Sequence, residues 1–112
     1  MDNYDKAEKA YNEALNGFNI KENEKIVLEH RAGWSYLFAL YVPGADIKAH
    51  EQVILELKNP ELSYLFARDI LGANIENHFQ VVFNSEGKYW LNWFIKDVNY
   101  KGTKVEEWLL YI

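Results

Sequence analysis

The chain has 112 residues, 49% of them apolar and 16% aromatic, with a net charge of −5 and no cysteine. A composition so rich in apolar and ring side chains excludes a disordered polymer, and the length suits one domain. Missing cysteines remove disulfides, thiolate catalysis and cysteine-ligated zinc, and fit a reducing, cytoplasmic setting.

The first predicted element is an amphipathic helix over residues 4–16, with Tyr11, Ala14 and Leu15 inward and a heavily charged outer face. Residues 20–30 form its partner and end near His30 and Arg31, where cations suit a helix C-terminus. Next come helices over 34–42 and 47–58. Phe38 and Val42 share a face of the former, and Ile47, Val53, Ile54 and Leu57 share an arc of the latter. Asn59-Pro60-Glu61 then supplies a cap, a proline at the first helical position and an early acid. Helices over 60–71 and 75–84 follow. Asn84-Ser85-Glu86-Gly87 marks a turn, a helix runs from about Glu86 to Val98, and a capping-box spacing at Thr103-Lys104-Val105-Glu106 opens the last helix. Asn19, Asp46 and Asn74 stand where each pair's second helix needs a cap, and Gly44 and Gly72 where a left-handed stop would sit.

These elements are copies of one another. Ser35-Tyr36-Leu37-Phe38-Ala39 returns 28 positions later as Ser63-Tyr64-Leu65-Phe66-Ala67, and Gly44-Ala45-Asp46-Ile47 as Gly72-Ala73-Asn74-Ile75. A further step of 28 reaches Phe94, Asp97 and Val98, and a backward step of 27 finds worn matches at Tyr11, Leu15, Gly17, Asn19 and Ile20. A period in this range signals a repeat architecture. The expected fold is all-α, about four stacked short helix-turn-helix units with a single core, an α-solenoid-like array. The units span approximately 4–31, 33–58, 60–84 and 86–112. Phe38, Phe66 and Phe94 should form its spine.

The Phe-Ala…Gly-Ala-Asp/Asn-Ile pattern resembles the short bihelical repeats of uncharacterised bacterial and phage proteins, closely over residues 35–83 and loosely elsewhere. The resemblance implies a helical repeat array and no reaction. In such repeats the position of His50 and His78 tends to hold leucine.

Function is less legible. No run approaches the roughly 18 apolar residues of a membrane span, and the acidic start does not read as a signal peptide. Acids and bases are interspersed and no basic run exists, which argues against direct binding of nucleic acid. No G-x-S-x-G, P-loop or G-x-G-x-x-G occurs. His50-Glu51 begins like HExxH, but Ile54 stands where the second histidine belongs. Asn23, His50, His78 and Glu106 share a repeat column inside the apolar arc. A metal or proton site there is the outside reading, and half-buried structural histidines the simpler one. No catalytic residue, metal or cofactor is expected.

A surface is the better candidate. Tyr36 and Tyr64 fall opposite the Phe-Val stripe, with Leu40, Arg68 and Lys96 one turn on, an expected exposed ladder for a protein partner. Trp90, Trp93, Trp108 and Tyr111, with Tyr89 and Tyr100, crowd the C-terminal unit. They either fold back to close the core or form a self-association surface, in which case the chain is a homodimer through that unit. The expectation is a non-enzymatic inhibitor that occludes a partner protein, of the phage or mobile-element anti-defence type such as an anti-CRISPR. A toxin-immunity protein or a scaffold repeat is the alternative.

Overall fold

The computed structural model describes residues 3–112, with side chains from Lys6 onward. The described residues form eight α-helices, one 3-10 turn and no strand. The chain divides into two compact units, the first ending at Leu57 and the second running from Lys58 to Ile112.

The first unit holds α1 (Asn3–Leu15), α2 (Ile20–His30), α3 (Trp34–Tyr41) and α4 (Ile47–Leu57). Helix α1 packs on α2 and α3, α2 on α3 and α4, and α3 on α4. Its core joins Ala10, Tyr11, Ala14, Val27, Phe38 and Val42, with Ile20, Ile26, Trp34 and Leu37 packed around them. Leu15 and Leu57, expected inward, are exposed instead. Each is the last residue of its helix, where the apolar stripe runs past its neighbours.

The second unit holds α5 (Pro60–Asp69), α6 (Ile75–Asn84), α7 (Tyr89–Asp97) and α8 (Lys104–Trp108), then the 3-10 turn Leu109–Tyr111. Its packing repeats that of the first except for a contact between the last two helices: α5 packs on α6 and α7, and α6 on α7 and α8. Tyr64, Ala67, Phe79, Val82, Leu91, Phe94, Val98 and Val105 form its core, and Trp90, Tyr100, Trp108 and Leu109 close over it. Phe79 meets Phe94 edge-on at 5.6 Å and lies 5.9 Å from Trp108.

The repeat is visible in backbone detail. Phe38, Phe66 and Phe94 are wholly buried, as the spine requires. Each carbonyl accepts the N–H four residues on, from Val42, Ile70 and Val98, at 2.9–3.0 Å, and those three residues are extended. So the helices end at these apolar residues, and the glycines serve a different turn. Ala45 N–H bonds to Val42 O and Ala73 N–H to Ile70 O, with Gly44 and Gly72 at φ of +77° and +86° in the third place of the turn. That is the position where a type II turn demands a positive φ.

Caps follow the expected residues with one exception. The side chains of Asp46, Asn59 and Asn74 accept the N–H groups of Ala49, Leu62 and Asn77. Asn19 makes no such bond and adopts a left-handed conformation itself. Thr103 caps α8 through Val105 N–H, and Glu106 reaches back to Gly102 N–H, one residue beyond the Thr103 N–H of a true capping box.

A second device joins neighbouring copies. Glu24 of α2 accepts the N–H of Asp46, at the start of α4, at 2.7 Å. Glu76 of α6 accepts the N–H of Lys104, at the start of α8, at 2.9 Å. In each unit a carboxylate from one copy's second helix grips the N-terminus of the next copy's second helix, where free donors and the helix dipole favour it.

Candidate functional site

His50 and His78 are wholly buried, stacked on Phe38 and Phe66 at 4.8 and 5.1 Å. His78 Nδ1 meets Ser63 Oγ at 3.0 Å, and His50 Nε2 meets Glu24 Oε2 at 3.0 Å. Asn23 donates to Phe18 O and to Glu13, while Glu106 is exposed. Burial lowers the pKa of His50 and outweighs the opposing pull of Glu24. His50 and Ser35 have no exposed surface. Among the described residues no three histidine, aspartate or glutamate side chains are grouped to hold a metal ion.

The exposed ladder takes a different form from the expected one. Tyr36 and Tyr64 are buried, at 9% and 3% exposure. The physical reason is that α3 and α5 are each covered by neighbours on two sides: α3 by α4 on one hand and by α1 and α2 on the other, α5 by α6 and α7. The side opposite the phenylalanine is therefore a second packed side. Tyr36 and the half-buried Leu40 belong to the first unit. Tyr64, Arg68, Lys96, Trp90 and Trp93 belong to the second, and there the structure brings them together.

The meeting place is the edge between α5 and α7. Tyr64 O–H donates to Asp97 Oδ2 at 2.5 Å, and its ring lies 5.5 Å from Trp90. Burial, then the bond to Asp97, raises the Tyr64 pKa. The Arg68 guanidinium sits 5.2 Å over the Tyr64 ring and donates to its hydroxyl at 3.3 Å. Two further bonds, at 2.7 and 2.9 Å, tie Arg68 to Asp69 and push its pKa up. Outward from this buried edge runs a chain of exposed rings. Tyr89 meets Trp90 at 4.8 Å and Trp93 at 6.4 Å, and Lys96 lies 4.9 Å over the Trp93 ring. Tyr89 and Trp93 are 64% and 38% exposed.

Sequence reasoning counted Tyr89 among the crowded C-terminal aromatics without joining it to the ladder, and missed Asp97 as the partner of Tyr64. The spacing of four between Tyr89 and Trp93 was a usable signal for a shared helix face. Nothing local connects Tyr64 with Asp97, 33 residues away. Of the C-terminal aromatics, Trp90 and Trp108 pack against the core of the second unit, whereas Tyr111, with Leu110 and Ile112, is exposed. No helix is long and apolar enough to cross a membrane among the described residues. Comparison with family models, curated proteins and solved structures returned no match.

Proposed function

We propose that the chain is a non-enzymatic protein-binding module whose contact surface is the α5–α7 edge of the second unit. The continuous run of Tyr89, Trp93 and Lys96, backed by Trp90, Tyr64 and Arg68, is the observation that carries this reading. Tryptophan, tyrosine and arginine dominate binding hot spots because they offer large rigid area with few torsions to freeze. Here the rings are pre-positioned by one another and by a core residue, so little ordering remains to be done on binding. Small size and a bare helical-repeat frame suit an inhibitor that acts by occlusion, of the anti-defence type such as an anti-CRISPR. An immunity protein against a toxin would use the same surface physics.

Capture of a single stoichiometric protein from the native host, followed by calorimetry, tests the proposal. Tyr89→Ala with Trp93→Ala should weaken that complex at least about tenfold, the loss of a hot-spot residue. Unchanged affinity would reject the face. Whether the captured protein is a defence nuclease or a toxin separates the two roles. A second reading, self-association, is favoured by the exposed Leu110, Tyr111 and Ile112 at the chain end. Light scattering at high concentration tests it, and a strict monomer sinks it.

A further inference from the structure

The joint between α2 and α4 contains an imidazole whose two nitrogens stand in opposite situations. Glu24 Oε2 receives both Asp46 N–H and His50 Nε2, at 2.7 and 3.0 Å. A carboxylate only accepts, so Nε2 carries the hydrogen and Nδ1 the lone pair. That Nδ1 is buried with no hydrogen-bond partner, and so is the hydroxyl of Ser35. Their counterparts in the second unit, His78 Nδ1 and Ser63 Oγ, are bonded to one another at 3.0 Å. In the first unit a carboxylate from the neighbouring copy holds the far side of the ring.

The groups around His50 define its response to a proton. From α2 comes Glu24, with Lys21 Nζ 3.6 Å from its other oxygen. From α3 comes the uncharged Phe38 ring face. Its own helix adds Asp46, which, like Glu24, favours a charged ring. Against them stands complete burial, which disfavours it and prevails.

We propose that Glu24, His50 and the first turn of α4 form an acid-sensitive latch, closed while the imidazole is neutral and loosened in mild acid. The sign follows from linkage. His50 in the unfolded chain titrates near 6.5, and in the folded unit below it. The opened state therefore binds the proton more readily. The contribution of the joint is complete above about pH 6.5 and declines as the pH falls from there to the folded midpoint. Opening α4 breaks the bond to Asp46 N–H as well, so protonation of one ring releases a helix terminus. The latch lies in the first unit and does not depend on the binding face proposed for the second.

Two measurements on the whole chain test this. One is titration of the His50 ring resonances. The other is hydrogen-exchange protection of the α4 amides, such as Val53 and Ile54, between about pH 7.5 and pH 5. The His50 midpoint should lie below 6.5, and α4 protection should fall with pH by no more than about tenfold per unit, the slope of one proton. His50→Leu should remove that fall. Should the leucine variant not fold, His50→Gln, which can still donate to Glu24, takes its place. Glu24→Gln should drive the midpoint lower still, because the group that favours the charged ring is gone. A midpoint at or above 6.5, or an equal loss of protection without His50, overturns the latch.

Discussion

Three phenylalanines occupy one role in successive copies, and their energetic weight can be measured singly. Phe66 has no exposed surface and stacks on His78. Phe66→Ala should cost roughly 3–5 kcal/mol in urea unfolding, a large part of the roughly 5–15 kcal/mol typical of a domain. Tyr64 is a different kind of probe. Its hydroxyl binds Asp97 and Arg68 while its ring fills the core. Tyr64→Phe removes only the polar part and should cost roughly 1.5–3 kcal/mol, since hydrogen bonds to charged groups lie in that range. Tyr64→Ala would also open a cavity and should cost distinctly more. The buried tyrosines thus report on stability, and only Tyr89 and Trp93 can report cleanly on binding.

At the scale of the element, α4, α5, α6 and α8 are held at their starts by a side-chain oxygen, and α3, α5 and α7 end at an extended apolar residue. Asn74 accepts Asn77 N–H at 3.1 Å, and Asn74→Ala should lower stability by about 1 kcal/mol, read as a fall in Tm. Gly72→Ala should cost a similar amount, roughly 1 kcal/mol, for a conformational reason. A Cβ there meets nothing, but φ is +86°. Most of this layer was legible beforehand. Helices at 20–30 and 75–84 match their expected bounds, the second because cap, period and turn residues agree there. The role of Gly44 and Gly72 was not legible, since a positive φ is required equally by a helix stop and by the turn they actually make. Nor was the burial of Tyr36 and Tyr64. A wheel shows which side of a helix is apolar, whereas the number of neighbours that cover it is settled by packing.

For the whole molecule, charge is uneven between the units. Through Leu57 the chain carries six Lys or Arg against ten Asp or Glu, and after it six against seven, so nearly all the net −5 belongs to the first. The α5–α7 edge lies in the nearly neutral one, and its aspartates are engaged with Arg68 and Tyr64. The Tyr89→Ala, Trp93→Ala protein should keep its helical circular dichroism, since both rings are exposed. Of this candidate site, Arg68, Lys96 and the tryptophans stood out in the sequence by type and register. Their assembly did not, because the Tyr64–Asp97 bond that anchors it spans two helices of different copies.

The grips that Glu24 and Glu76 place on the next copy have a consequence for how such a chain can drift. Both seize a main-chain N–H, of Asp46 and of Lys104, and are indifferent to the side chain attached to it. The grip itself therefore survives a change of side chain at either place, although at Asp46 such a change also removes the cap on Ala49 N–H. Asp46 and Lys104, opposite in charge, already occupy the gripped place in the two seams. Only proline, which has no hydrogen to offer, would part them.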